Sequence, residues 1–218
     1  MATTTKGQRP AAPRRRRADG ERTRSAILRA AASLATVDGL DGLSIGNLAG
    51  SIGMSKSGLY AHFGSKEELQ LATVDEAERI LTEEVIQPAL AAGPGLDQLA
   101  VACEAFLSYV QRRVFPGGCF FAATSLEMGT RAGPVKDRLA AIQTDFTDML
   151  RSFAATALEH HELPVGEDPE ELAFELHAVL LGADTKFVLK DDPAVLDLAR
   201  RVVRRRLGRD ESDGVDPS

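Results

Sequence analysis

Residues 55–66 carry a cluster of side chains that can donate hydrogen bonds to phosphates and to the edges of nucleic-acid bases. Ser55, Ser57 and Tyr60 offer hydroxyl groups. His62 adds a ring nitrogen, and lysines at positions 56 and 66 add positive charge. Small polar and cationic groups at this spacing are typical of a surface that enters the major groove of DNA.

Two short predicted helices position this cluster. Apolar residues recur at helical spacing in the first of them, at Ile45, Leu48, Ala49 and Ile52. Gly53 supplies the backbone freedom that a tight turn needs, and Ser55 can cap the second helix. We therefore predict helices over residues 45–51 and 56–63, joined as a helix-turn-helix.

The second helix turns Leu59 and Phe63 inward, because these apolar residues lie four positions apart. Gly64 ends that helix, and Ser65 with Glu68 forms a capping box for a helix from residue 66 to about residue 86, just before a proline. The residues of this unit that we predict to contact DNA are Ser44, Ser55, Lys56, Ser57, Gly58, Tyr60, His62 and Lys66.

Residues 21–81 resemble the DNA-binding domain of the tetracycline-repressor (TetR/AcrR) family of bacterial regulators. The positions that carry the resemblance are Ile27, Leu28, Ala31, Ala32 and Leu34 in an opening helix, then Gly39, Ser44, Ser55 and residues 58–60, 62–63 and 65–69. Ser44 stands where threonine is usual, and Gly46 where a larger residue is typical. The resemblance implies a homodimer on an inverted-repeat operator in double-stranded DNA, a phosphate clamp at Lys66, and a small-molecule cavity in the rest of the chain.

The expected fold is all-α, with an N-terminal three-helix helix-turn-helix domain and a C-terminal helical domain for ligand binding and dimerisation. The predicted divisions are a disordered basic arm over 1–20, the DNA-binding domain over 21–81, the second domain over 82–208 and a disordered tail over 209–218. Glycine and proline breaks separate further predicted helices over about 96–113, 119–128, 134–161, 169–190 and 193–207.

Charge is divided unevenly along the chain. Residues 1–66 hold 11 basic and 4 acidic residues, a net charge of +7, whereas the remainder holds 15 and 28, a net charge of −13. A basic first third favours a polyanionic partner. We predict that Arg14, Arg15, Arg16 and Arg17 lie along the phosphate backbone or in a minor groove, a solubilising tail being the alternative.

The class of protein is bounded by composition. A hydrophobic content of 44% suffices for a core, and two cysteines make neither a disulfide framework nor a zinc site. No stretch approaches the roughly 18 apolar residues of a membrane span. We expect a cytoplasmic bacterial protein that needs no cofactor and no metal and has no membrane partner.

The second domain offers candidates for an effector pocket. Phenylalanines, methionines and a few hydrogen-bonding groups share its predicted helices, at Phe106, Tyr109, Phe121, Thr124, Met128, Phe146, Met149, Phe153 and His177. Such a mixture fits a mostly apolar cavity with sparse orienting groups, and hence an apolar or amphipathic effector. The alternative for each residue is plain core packing.

The last two predicted helices carry apolar stripes. In the family the final helix pair packs against its twin, and the residues that we predict for this contact are Leu172, Leu176, Val179, Leu180, Ala183, Val195, Leu198 and Val202. Burial inside one subunit would use the same pattern.

The resulting hypothesis is a ligand-responsive, sequence-specific transcriptional regulator, most simply a repressor released from its operator by an effector. An effector-independent structural DNA-binding protein is the first alternative. An enzyme using Cys119 is the second, although the chain shows neither a G-x-S-x-G motif, a His-Glu-x-x-His motif nor a phosphate-binding glycine loop.

Overall fold

The computed structural model describes residues 13–209, and within this range the chain forms helices and no β-strand. The all-α prediction is therefore confirmed. The helices are α1 Pro13–Asp38, α2 Ile45–Ile52, α3 Lys56–Tyr60, α4 Lys66–Leu81, a π-helical turn Thr82–Ile86, α5 Gln87–Leu90, α6 Leu96–Gln111, α7 Phe120–Met128, α8 Pro134–Glu159, α9 Pro169–Lys190 and α10 Ala194–Arg206.

The N-terminal bundle consists of α1, α2, α3 and the first turns of α4, and is called the head below. Each of its short helices begins at a serine whose hydroxyl accepts a hydrogen bond from the backbone three residues on. Ser44 accepts from Asn47 N at 3.1 Å, Ser55 from Gly58 N at 3.1 Å and Ser65 from Glu68 N at 3.0 Å. These caps satisfy amides that the first helical turn leaves open, so the short helices can form.

The first helix is longer than predicted. It begins at Pro13, so the described part of the predicted disordered arm, residues 13–20, is helical. Proline suits the first turn of a helix because the missing N–H has no partner there, and arginine and alanine favour helix. Residues 1–12 of the arm and residues 210–218 of the tail lie outside the described residues. Arg209, the first residue of the predicted tail, pairs with Asp97.

Two other boundaries differ from prediction. The recognition helix α3 ends at Tyr60 instead of near residue 63. The helix that follows does not stop before Pro88: α4 opens into a π-helical turn, Thr82–Ile86, and the chain continues as α5. Pro88 falls in the first turn of α5, where a missing N–H costs little, so proline marks a change of helical pitch and not an end.

The remaining helices form a second bundle, called the body below. Helices α8 and α9 pack on one another, α6 and α10 lie against α9, and α7 bridges the body to α1. The core is aliphatic with one aromatic chain of contacts, in which Tyr109 meets Phe106 and Phe115 at ring distances of 6.1 Å. None of the helices in residues 13–209 has both the length and the apolar character that crossing a bilayer demands.

Candidate functional site

The exposed face of α3 carries side chains that the fold leaves free. Lys56, Ser57 and Tyr60 are exposed, Tyr60 to 59%. Leu59, on the opposite side, is fully buried and fixes this orientation. Neither the Lys56 ammonium nor the Tyr60 hydroxyl forms a hydrogen bond or ion pair with any other described residue. An exposed hydroxyl and an exposed ammonium without internal partners can donate hydrogen bonds to phosphate oxygens without breaking an existing contact.

The serines of this surface have structural duties as well. The Ser44 and Ser55 hydroxyls accept from helix amides, and Ser55 Oγ lies 3.2 Å from Ser57 Oγ. Gly58 stands close to the same cap, because a Cβ there would lie 3.1 Å from Ser55 Oγ. Each capping hydroxyl keeps its own proton, which leaves it able to donate outward.

The unusual Gly46 lies beneath Lys56. A Cβ on Gly46 would stand 3.5 Å from Lys56 Cε, an ordinary contact, so the space does not require glycine. The absent side chain instead leaves the surface of α2 open where the lysine stem crosses it. The departure from the family pattern therefore gives Lys56 more room to move along α2.

His62 and Lys66 are less free than the sequence suggested. His62 is half-buried, and its carbonyl accepts from Arg24 Nη1 at 3.0 Å while the Arg24 guanidinium lies 4.5 Å above the Phe63 ring. Lys66 Nζ donates to the carbonyl of Asp41 at 2.5 Å and to its Oδ1 at 3.0 Å. To act as a phosphate clamp, Lys66 would have to give up its contacts with Asp41 and bind a phosphate instead.

A second cation holds the same carboxylate. Arg131 Nη1, at the end of the body nearest the head, lies 2.8 Å from Asp41 Oδ2. Hydrogen bonds from Lys66 and Arg131 lower the pKa of Asp41, so it is ionised at neutral pH. The four arginines of the predicted arm belong to the first turns of α1, and their side chains lie outside the described residues.

The predicted effector pocket is brought together only in part. A narrow void in the body is lined by four of the predicted residues, Phe106, Phe121, Phe146 and His177. It leaves about 10 Å³ of free space, roughly what one water molecule needs. His177 Nδ1 lies 3.2 Å from the Thr147 hydroxyl, and burial lowers the pKa of His177, which keeps the ring neutral at pH 7.

The other five predicted pocket residues lie elsewhere. Thr124 bonds the carbonyl of Phe120 at 2.9 Å, as helical threonines do, and is buried in packing. Met128 and Met149 line separate shallow grooves. Tyr109 is buried, and its hydroxyl has no hydrogen-bond partner among the described residues. Phe153 packs in the core without lining the void. Thr124, Tyr109 and Phe153 therefore belong to the core packing, whereas Met128 and Met149 border grooves that are separate from the void.

A buried polar cluster beside the void escaped sequence reasoning. Asp184 of α9 is buried, and its Oδ1 accepts from Cys119 N at 3.0 Å. Burial raises the pKa of Asp184 to about 6, against the opposing hydrogen bond from Cys119 N. The only sequence signal was an acidic residue within an apolar run. Gly118 allows the carboxylate to approach, because a Cβ there would lie 2.3 Å from Asp184 Oδ1.

Cys119 is not placed for nucleophilic chemistry. Its side chain is buried, and burial followed by the nearby Asp184 raises the pKa of the thiol to about 12. Thiolate is the reactive form of cysteine, and it is scarce at pH 7 with such a pKa. The enzyme alternative therefore loses its candidate nucleophile.

Four residues of the predicted dimer stripe on α9 lie on the side that packs within the subunit. Leu172, Leu180 and Ala183 are buried in the subunit's own core, and Leu176, which is also buried, lines the groove between α9 and α10. Helix α9 has apolar residues on both sides. Packing against α8 and α10 buries the side that the sequence predicted for the dimer contact. Val179, Val195 and Val202 are half-buried, and Leu198 is 52% exposed.

The opposite side of α9 carries exposed apolar residues. Phe174 is 71% exposed and Leu189 is 78% exposed, with the small Ala178 and Gly182 between them on the same face. Beside this face, α9 and α10 enclose a groove of about 660 Å³ lined by Phe174, Val179 and Val202. Phe174 and Leu189 lie 15 positions apart on this face, and large exposed apolar side chains on one face are typical of protein–protein contacts.

Comparison with known families agrees with this geometry. Residues 27–73 match the model of bacterial regulatory proteins of the tetR family, and residues 95–203 match the tetracyclin repressor-like C-terminal domain. Together with the helix-turn-helix, these matches define a DNA-binding transcriptional regulator. The chain belongs to the TetR family, whose regulators are in general not enzymes.

Solved structures share the fold over most of the chain. A TetR regulator from Chloroflexus aurantiacus is 25% identical, with a TM-score of 0.80 over 88% of this chain and 97% of its own. One from Cytophaga hutchinsonii is 20% identical, with a TM-score of 0.74 over 89% and 98%. AibR, solved with isovaleryl coenzyme A and operator DNA, is 23% identical, with a TM-score of 0.66 over 84% and 97%. No curated protein sequence matches the chain.

Proposed function

We propose that this protein is a homodimeric repressor that binds an inverted-repeat operator and is released from it by a small apolar or amphipathic effector. The observation that carries the proposal is the exposed set of donors on α3, in which the Lys56 ammonium and the Tyr60 hydroxyl have no partner among the described residues. The chain passes from head to body along α4, and we keep the predicted division near residue 81, where α4 gives way to the π-helical turn. Because it acts on bacterial promoters, we place the protein in the cytoplasm.

The DNA contacts follow from the head. Lys56 and Tyr60 supply phosphate contacts, and Ser44, Ser55, Ser57 and His62 lie near enough to assist at phosphates or base edges. A recognition helix of five residues presents only a few side chains to one major groove. Two copies related by a two-fold axis would read two half-sites, and this is the reason to expect an inverted repeat.

The two-fold contact is assigned to the outer face of α9 and to α10. Phe174, Leu189 and Leu198 would lose their exposed apolar area to the same face of a second copy, as a two-fold interface requires. This assignment keeps Leu198 and Val202 from the sequence prediction and replaces the buried members with Phe174, Ala178 and Leu189.

The effector site is assigned to the void beside His177. Leu81, Ile142 and Phe146 separate this void from a surface groove of about 230 Å³ between α4 and α8. Rotation of the Phe146 ring would join the two spaces. The void offers mainly apolar walls with His177 and Gln143 as polar groups, which suits an apolar or amphipathic molecule. AibR offers a precedent of the same fold with a bound acyl-coenzyme A.

Selection of bound sequences from random DNA tests the DNA-binding part of this proposal. We expect enrichment of an inverted repeat with two similar half-sites. Enrichment of no motif, with footprints that random competitor DNA removes as readily as the selected DNA, would instead support the structural DNA-binding alternative.

A ligand screen tests the effector part separately. A molecule that binds the body should raise the melting temperature and weaken binding to the selected operator together, because the two effects are linked. A broad apolar and amphipathic library that gives neither effect would leave the protein as a DNA-binding regulator without an effector.

A further inference from the structure

Two carboxylates hold α7 at its opposite ends. At the start of the helix, Asp184 Oδ1 of α9 accepts from Cys119 N at 3.0 Å. Near its end, Glu127 accepts from two amides of the head, Leu40 N at 2.7 Å and Asp41 N at 2.8 Å. Hydrogen bonds from backbone amides to carboxylates are stronger than those between neutral groups. Helix α7 is therefore tied at one end to the body and at the other to the turn after α1.

Both ties depend on a glycine in the left-handed region. A Cβ on Gly118, at φ +86°, would stand 2.3 Å from Asp184 Oδ1. A Cβ on Gly39, at φ +84°, would stand 2.8 Å from Glu127 Oε1. At each end, another residue would be strained in its backbone, and at Gly118 its Cβ would also collide with the short side chain of Asp184. The same device thus occurs twice, once at each end of α7.

The turn that Glu127 grips is itself tied into the head. Gln70 Nε2 of α4 donates to the Leu40 carbonyl at 2.7 Å, and Lys66 holds Asp41. A displacement of this turn would therefore move the head as a unit, with its core and its helix caps intact. Two further contacts join this region to the body: Thr36 Oγ1 accepts from Gly117 N at 3.1 Å, and Arg131 Nη1 lies 2.8 Å from Asp41 Oδ2.

The start of α7 also borders the void assigned to the effector. Cys119 and Phe121 line that void together with Phe146 and His177. The nine residues of α7 span about 13 Å at the rise of an α-helix. A molecule that enlarges the void would displace the start of α7, and a rigid helix would pass this displacement to the turn at its far end.

We propose that α7 is a strut that fixes the orientation of the head on the body, with Asp184 and Glu127 as positioning residues at its two ends. The proposal rests on the proposed dimeric DNA-binding function, because orientation matters only when two heads must meet two half-sites. It separates two properties of DNA binding. The affinity of one head for one half-site belongs to α3, whereas the match of two heads to a fixed spacing belongs to the strut.

The test compares Glu127→Gln with Glu162→Gln in the full-length protein. The glutamine at 127 can accept only one of the two bonds, and its amide group faces the second N–H. Glu162 is a matched control, because its Oε2 accepts from Leu96 N at 2.9 Å wholly within the body. The DNA probes are the inverted repeat selected by the wild-type protein, the same repeat with its spacer changed by one or two base pairs, and a single half-site.

We expect Glu127→Gln to bind the correctly spaced repeat about 5- to 150-fold more weakly, the usual range for coupling between sites. Its half-site affinity should stay at the wild-type value. The difference in affinity between the correctly spaced repeat and the repeats with an altered spacer should become smaller. Asp184→Asn should change the same quantities in the same direction, and Glu162→Gln should change neither.

If Glu127→Gln binds the correctly spaced repeat with wild-type affinity and keeps the wild-type spacer preference, the strut proposal is wrong. An equal loss on half-site and repeat would overturn it too, because the head itself would then be damaged. If Glu127→Gln does not fold, Glu127→Asp retains the charge but shortens the reach, and the same two results decide. A wild-type protein without any spacer preference would instead contradict the proposed dimeric function.

Discussion

The exposed faces of α3 and α9 differ in chemistry although both are helices at the surface of one chain. On α3 the exposed groups are an ammonium and two hydroxyls, from Lys56, Ser57 and Tyr60. On α9 they include the large apolar side chains of Phe174 and Leu189, separated by small residues. The first face suits a hydrated polyanion and the second a dry protein contact. The chemistry of the exposed side, more than the strength of the apolar pattern, identifies the partner of each helix.

The largest expected effect separates the two sides of α9. Leu180→Glu places an unpaired charge in the core and should destabilise the fold by about 3–5 kcal/mol. Phe174→Glu, on the exposed side, should leave the unfolding transition of the subunit in place but give a monomer. Thermal unfolding and sedimentation of both variants measure this. A folded Leu180→Glu protein, or a fully dimeric Phe174→Glu protein, would reverse the assignment of the two sides.

A smaller effect concerns Asp184, whose pKa burial raises from 3.8 to about 6. Between these values the folded state binds more protons than the unfolded state, so stability falls as pH rises from about 4 to about 6. Asp184→Asn lacks this proton, and its stability relative to the wild type should rise over that range by up to about 3 kcal/mol. Denaturant unfolding at several pH values measures the difference. A constant difference between pH 4 and pH 7 would mean that Asp184 does not titrate there.

The smallest effect compares the two lysines of the head. Lys56 has no partner among the described residues. Lys56→Ala should therefore reduce the magnitude of the slope of log affinity against log salt by about one, the contribution of one phosphate contact. Lys66 is paired with Asp41. Lys66→Ala should reduce the slope equally only if this lysine leaves Asp41 on binding DNA. Equal slopes for Lys56→Ala and the wild type would remove Lys56 from the interface.

The head could be predicted from sequence in more detail than the body. Its elements depend on local signals, and the serines at 55 and 65 each cap the helix that the sequence assigned to them. Lys66 differs because its partner, Asp41, lies in a turn 25 positions away that no local pattern links to it.

The body depends on contacts between distant helices. Helix α9 shows two apolar sides, and only the packing of α8 and α10 decides which one is buried. Sequence spacing also cannot show that the phenylalanines pack so closely that a free volume of only about 10 Å³ remains between them. The ties of Asp184 and Glu127 join residues 65 and 87 positions apart, and their sole local sign is a glycine beside each donating amide.

The most direct test of the division between a DNA-reading α3 and a dimer-forming α9 is the affinity of Phe174→Glu for DNA. The variant should bind a single half-site as tightly as the wild-type protein does, because α3 is untouched. On the full inverted repeat it should lose the advantage of the second head and bind only about as tightly as on the half-site. Wild-type affinity for the full repeat would show that the outer face of α9 does not join the two subunits.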